Sequence, residues 1–377
     1  LCVPALADDP VTITVYNWGQ YISDGSDDCI DVIAAFEAET GIRVNYVTYD
    51  SNETMYSKLK TGGAAYDVII PSDYMIETLI NEGMLLELDY SNIPNFEYID
   101  DTFRNPSYDP ENKYSVPYTW GRVGIIYNSL YVNEDDLTGW DILWNPSYAG
   151  KILMFDNCRD AFAIAELRLG MSLNTEDEES LTAAAELLKE QKNLVQSYVM
   201  DQIFDKMERA EAWLAPYYAG DYIFMLEENS DLGFFEPEEG YNIFVDAMCI
   251  PASSQHRREA ELFINFVTDP AVCGENLEYL GYSAPSSAAK EYMDEDLAGN
   301  EVAYPDEEEL ERGEYFGALS TEGIRTMNSL WLDVKTSGDN LSLYIWVTAG
   351  TVAAILILWL IIEIRKKRRI ARRCTNR

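Results

Sequence analysis

From residue 11 to residue 83 the spacing of apolar positions switches between the strand period of two and the helical period of about 3.6. Residues 11–16 are β-branched and aromatic and predict a strand, whereas Ile30, Ile33 and Phe36 recur at helical spacing until Gly41 ends the segment. Residues 42–47 return to the strand pattern, and 51–59 read as a helix. A buried strand at 67–70 is closed by Pro71, and a helix at 73–82 is stopped by Gly83. This βαβαβ order predicts a largely parallel sheet with helices on its faces.

A second series follows Trp120, with helices at 161–169, 181–189, 200–207 and 259–267 and a strand at 243–250. No internal repeat or low-complexity tract interrupts it before Ser337, Gly338, Asp339 and Asn340, which read as a spacer over 337–342. Residues 343–362 then run apolar without a charge, long enough at 1.5 Å per residue to cross about 30 Å of hydrocarbon. Tyr344, Trp346 and Trp359 sit near its ends as interfacial anchors. A transmembrane helix is therefore expected at 343–364, followed by a basic cytoplasmic tail at 365–377. At the other end, Ala5, Leu6 and Ala7 before Asp8, Asp9 and Pro10 look like the small-residue end of a signal peptide, or a linker within a longer membrane polypeptide.

Charge sharpens this topology. Lys and Arg number 27 against 66 Asp and Glu, a formal net of -39, which excludes nucleic acid as a partner of the main body. Eight of the bases lie beyond residue 364, so the positive-inside rule places the acidic body outside the membrane. Cations or neutral solutes are the partners such a body attracts. Cys29, Cys158, Cys249 and Cys273 lack CxxC spacing and are expected as free buried thiols. The acidic runs at 176–179 and 307–309 are expected as solvated surface.

Catalytic motifs are missing. The single histidine, His256, precedes a helix and reads as a surface cap, and there is no phosphate loop, HExxH helix or GxSxG elbow. Among 66 acids a coincidental carboxylate pair is easily found, so a glycosidase is the weakest class. Aromatic residues instead gather at strand ends, where open α/β sheets place ligands: Tyr16, Trp18 and Tyr21 after the first strand, and Tyr74 after Ile70 and Pro71.

Tyr16-Asn17-Trp18, Ser51-Asn52-Glu53-Thr54-Met55-Tyr56, Leu59-Lys60, Ala65-Tyr66-Asp67, Pro71-Ser72, Val116-Pro117-Tyr118 and Gly281-Tyr282 together resemble the spermidine/putrescine-binding protein of bacterial polyamine ABC importers, a family of periplasmic-type solute-binding proteins. The similarity runs from about residue 11 to residue 331, leaving the expected anchor outside it. It implies an α/β, two-lobed fold with mixed sheets and an interlobe ligand cleft, without catalytic activity, cofactor or metal. Lobe 1 is expected over 11–118 and 246–302, lobe 2 over 119–245 and 303–336.

The resemblance further implies a polyamine ligand and hand-over to an ABC permease with its ATPase. Carried over residue by residue, Trp18 and Tyr21 form one wall, Ser72 and Tyr74 the adjoining one, and Tyr217, Phe244 and Tyr282 further aromatic contacts. Asp246 and Asp160 are the acids expected to meet ligand ammonium groups. Gln20 and Asn157 are neutral where relatives carry acids, Phe244 replaces a Trp, and Phe316 stands near an expected amide. Asp73 compensates if its side chain turns inward. A receptor for another cationic solute on the same fold, or a membrane-tethered polyamine sensor, is the alternative.

Overall fold

The computed structural model describes residues 10–26, 29–62 and 65–337, so the expected transmembrane segment at 343–364 and the basic tail lie outside the described residues. Contacts divide the chain into Leu1–Trp331 and Leu332–Arg377. Everything below concerns the first unit. In the second, Thr336 Oγ1 donates to the Leu332 carbonyl at 2.8 Å, continuing helical geometry.

The first unit opens with β1 (Thr12–Trp18), α1 (Val32–Thr40), β2 (Arg43–Tyr49), α2 (Asn52–Thr61), β3 (Val68–Ile69) and α3 (Asp73–Asn81). Polar side chains start the first two helices: Asp31 accepts from Ala34 N, and Ser51 from Thr54 N. Gly41 and Gly62 end them at φ 73° and 66°, a left-handed backbone that glycine adopts without strain. β1 pairs in parallel with β2 on one side and β3 on the other, as the βαβαβ pattern requires.

The long β4 (Ser115–Asn128) follows, then β5 (Ile152–Phe155), α4 (Cys158–Arg168), α5 (Glu178–Gln191), β6 (Val195–Val199) and α6 (Ile203–Glu208). Next come β7 (Leu214–Tyr218), α7 (Ala219–Glu228), β8 (Leu232–Phe235) and β9 (Tyr241–Cys249). The unit continues through α8 (Arg257–Val267), α9 (Pro270–Leu280), α10 (Glu295–Ala298), α11 (Glu307–Leu310) and β10 (Gly313–Tyr315), and it ends at Trp331 within α12 (Thr321–Thr336).

Among the described residues the strands join in the order β2-β1-β3-β9-β4-β7-β5-β6, with β10 beside β9 and β8 beside β4. β5, β6 and β7 are mutually parallel, like β1, β2 and β3, whereas β4 and β9 run antiparallel to each other between the two sets. The sheet is therefore mixed. β9 is buried along its whole length and β4 along nearly all of it, the continuous burial of central strands covered on both faces. One core packs Phe36, Phe263 and Leu277 from α1, α8 and α9 against Ile13 and Val15 of β1. His256 occupies the N-cap position of α8, but its side chain makes no capping bond, and its own amide donates to Ser254 Oγ at 3.1 Å.

Candidate functional site

Parallel strands end with their carbonyl edge open, and the loops leaving those ends carry ligand sites in α/β sheets. Here six such ends converge. Trp18 closes β1, and Gly19 and Gln20 make a sharp turn in which Gln20 takes φ 48°. The Asn17 side chain fixes that turn by accepting from Trp18 N and donating to the Tyr21 carbonyl. Ser72 and Tyr74 follow β3; Asn157 and Asp160 follow β5; Tyr217 and Tyr218 end β7. From the antiparallel centre, Asn242, Phe244 and Asp246 alternate along β9 and so share one face.

These residues line one cleft of about 800 Å³, counting the open space at its mouth. Twelve of the expected site residues lie on its wall: Trp18, Gln20, Tyr21, Ser72, Tyr74, Asn157, Asp160, Tyr217, Phe244, Asp246, Tyr282 and Phe316. Asp73 does not. Its carboxylate turns to the backbone, accepting from Tyr74 N at 2.7 Å and Val245 N at 3.4 Å, because it begins α3 and the first amides of that helix need an acceptor. Tyr16 is also absent from the wall. β1 continues to Trp18, so Tyr16 sits inside the ladder, stacked on Tyr66 with ring centroids 4.2 Å apart.

The aromatic walls are held in place. Trp18 Nε1 donates to the Ile70 carbonyl at 2.9 Å, and the Tyr49 ring lies 4.7 Å from the Trp18 ring. Tyr21 meets Tyr282 edge-on at 5.2 Å, Tyr218 meets Phe244 at 5.4 Å, and Tyr74 meets Phe316 at 5.7 Å. Tyr282 also rests on Gly220 of α7, where an added Cβ would collide with its ring. Gly220→Ala is accordingly expected to destabilise the fold by about 1–3 kcal/mol, although the same change in an unobstructed helix raises stability. Equilibrium urea unfolding checks this, with the loss disappearing in a Tyr282→Ala background. Destabilisation of equal size in both backgrounds would show that the ring is not the obstacle.

The acids lie on a gradient of burial. Asp246 is 4% exposed; Tyr21 donates to its Oδ2 at 2.7 Å, and its Oδ1 has no hydrogen-bond partner. Burial pushes its carboxyl up to about 6, tempered by the Ser72 and Tyr21 hydroxyls. Asp160 is 5% exposed and accepts from Tyr218 Oη at 2.9 Å and from Asn157 Nδ2. Burial raises it to about 7 against the pull of Tyr218. Asn157 is meanwhile committed to the helix start, its Oδ1 accepting from Arg159 N and Asp160 N.

Three more carboxylates complete the wall: Asp50, Asp201 and Asp221. Asp221 is half-buried and rises to about 7, again mainly through burial, with the Tyr282 hydroxyl opposing. Asp50 and Asp201 are exposed at the mouth. Asp50 follows the end of β2, Asp201 the end of β6 and Asp221 the end of β7, so the strand-end rule locates all three. Neither Lys nor Arg lines the cleft. Five carboxylates with no Lys or Arg among the lining residues, between aromatic faces, can hold an extended cation. No group of His, Cys, Asp and Glu suited to hold a metal ion occurs among the described residues.

The family model for bacterial extracellular solute-binding proteins matches residues 64–312. The spermidine/putrescine-binding periplasmic protein of Escherichia coli (strain K12) is 35% identical over 312 residues, covering 82% of this chain and 88% of the relative. Its counterpart in Haemophilus influenzae, spermidine/putrescine-binding periplasmic protein 1, is 32% identical over 296 residues, covering 78% of this chain and 81% of the relative. The crystal structure of the spermidine/putrescine ABC transporter substrate-binding protein of Streptococcus pneumoniae superposes with a TM-score of 0.72 at 36% identity, covering 86% of this chain and 99% of that one. A solved structure from Listeria monocytogenes reaches 0.81 at 37% identity, with 86% and 98% coverage.

Proposed function

The chain belongs to the bacterial extracellular solute-binding proteins, in the family of the spermidine/putrescine-binding periplasmic proteins, and from that membership we propose that its cleft binds a polyamine outside the cytoplasm for delivery to an ABC importer. Members of this family bind solutes for transport and are not enzymes. The observation that carries the reading is the unpartnered Oδ1 of Asp246, buried among aromatic rings and free of any basic neighbour on the wall. A buried carboxylate oxygen in that position is open to a further donor, and a primary ammonium offers three N–H groups on a slim methylene chain together with the opposite charge.

Each aromatic face adds about 0.5–2 kcal/mol of cation–π attraction, whereas leaving a desolvated ammonium unpaired costs several. The acids therefore set affinity and the rings set shape. Ser72 Oγ accepts from Asn52 Nδ2 at 3.1 Å, and both residues line the cleft. The cleft is in this reading the space between two lobes that close on the ligand. The apolar run at 343–362 would tether the receptor beside its permease and ATPase, raising its local concentration there.

Calorimetric titration of the full chain with putrescine, spermidine, spermine and a monoamine tests the assignment. Micromolar or tighter binding of a polyamine, with the monoamine silent, is the expected result. A folded protein that binds none of them would transfer the scaffold to another cationic solute.

A further inference from the structure

Phe316 reaches the cleft wall from backbone beyond the sheet, since the ladder between β10 and β9 ends at Tyr315. A clamp from α4 and the loop after it takes the place of that ladder. Arg159 Nη2 donates to the Gly317 carbonyl at 3.2 Å and to Asn174 Oδ1 at 2.8 Å. Asn174 Oδ1 also accepts from Gly317 N at 2.7 Å, and its Nδ2 donates to the Tyr315 carbonyl at 2.9 Å. The Arg159 guanidinium then lies over the Phe316 ring, 4.5 Å from its centroid, and 5.8 Å from the centroid of Tyr74. As a brace it is costly. Arg159 is 4% exposed, its Nε and Nη1 have no hydrogen-bond partner, and burial pulls the guanidinium below its usual range. The Glu166 carboxylate is also buried and within electrostatic reach, yet it accepts no hydrogen bond, so no ion pair explains the arginine. Beside a cleft that takes an ammonium its charge is repulsive as well. What Arg159 contributes is a flat group packed on Phe316 and two bonds that fix the adjoining backbone.

We propose that Arg159, braced by Asn174, is a positioning residue for polyamine binding: it sets the Phe316 ring, and through it Tyr74, as a rigid wall before the ligand arrives, and it acts through planar stacking rather than through its charge. The inference rests on the polyamine reading of the cleft. Phe316 passes the constraint on because it meets Tyr74 edge-on at 5.7 Å. A ring ordered in advance costs the ligand nothing to immobilise, whereas a loose ring must be ordered on binding, at about twofold to tenfold in affinity for each.

The test is calorimetric titration of the full chain with spermidine, well below its melting temperature, for the unaltered protein, Arg159→Lys, Phe316→Ala and the double variant. Arg159→Lys keeps the charge and removes the planar group, and is expected to weaken binding at least about fivefold. In the Phe316→Ala background the same change is expected to cost less than about twofold, because the ring through which it acts is gone. Asn174 does not line the cleft, and Asn174→Ala, which loosens the same backbone, is expected to share this dependence on Phe316. That variant carries the test if Arg159→Lys melts too low to titrate. Affinity within about twofold of the unaltered protein, or an equal loss in both backgrounds, would overturn the role. A residue needed only for the fold would lower the melt and leave the affinity of the folded protein unchanged. If the unaltered protein binds no polyamine, the polyamine reading itself fails, and that failure is visible before any variant is made.

Discussion

Replacing Asp246 by Asn is expected to weaken polyamine binding by about 30-fold to several thousandfold, equivalent to about 2–5 kcal/mol, while leaving the ligand-free fold at least as stable as before. The two effects have one cause. Asp246 is buried in the middle of β9, where the charged form is poorly solvated and where Tyr21 supplies a single short hydrogen bond. Its carboxyl is accordingly raised from 3.8 to about 6, and each pH unit of such elevation is about 1.4 kcal/mol held against the ionised fold. The neutral amide keeps an oxygen for Tyr21 and removes the uncompensated charge, so the melting temperature at pH 8 is expected to rise, by an amount equivalent to as much as about 3 kcal/mol. A ligand ammonium loses its deepest counter-charge by the same substitution. Calorimetric titration and a thermal melt of the same preparation separate the outcomes. An affinity loss under about threefold, or a loss accompanied by unfolding, would remove Asp246 from the ligand's partners.

Much of this site was legible because the residues that form it follow strands whose patterns are strong. The alternation over 11–16 and the Pro71 stop after 67–70 located Trp18, Tyr21, Ser72 and Tyr74 within reach of one edge, and parallel pairing of β1 with β2 and β3 follows from the same pattern. What went unread were short or irregular strands. β6 and β7 are five residues each and lack a clean period, and β2 ends at Tyr49, two residues beyond the expected 47. Asp201 and Asp221 follow β6 and β7, so the rule that finds Trp18 had nothing to start from there, whereas Asp50 lies three residues beyond the expected end of β2 and was passed over. Asp73 shows the opposite failure. Its place beside Tyr74 gave it the correct loop, but the choice between facing the cleft and accepting from the backbone is made by the amides of α3 and β9, which are only brought together by the fold. The two lost acids at Gln20 and Asn157 suggested a weaker cation site; the cleft instead regains charge at positions far apart in sequence.

Acidification is expected to act in opposite directions on the empty fold and on ligand binding. Asp160 and Asp221 rise to about 7 and Asp246 to about 6, in each case chiefly through burial. Between the unfolded carboxylate value near 4 and these folded values, the native state binds more protons than the unfolded chain. The slope of stability with pH is then negative: the contribution of these groups is fully present below about pH 4 and is lost as pH rises through 6 to 7. Comparing melts of the unaltered protein with those of an Asp160→Asn/Asp221→Asn/Asp246→Asn variant isolates this contribution from carboxylates such as Asp177, which caps α5 and is lowered by its bonds to Ser180. The difference between the two proteins should widen from pH 5 to pH 8. Binding runs the other way, because an ammonium is attracted only to ionised acids. Polyamine affinity is expected to fall at least about a hundredfold from pH 8 to pH 5, and binding near pH 6 should release protons, read as a buffer-dependent heat when the titration is repeated in buffers of different ionisation enthalpy. Affinity independent of pH over that range, or proton uptake on binding, would show that these three aspartates do not carry the charge that the ligand meets.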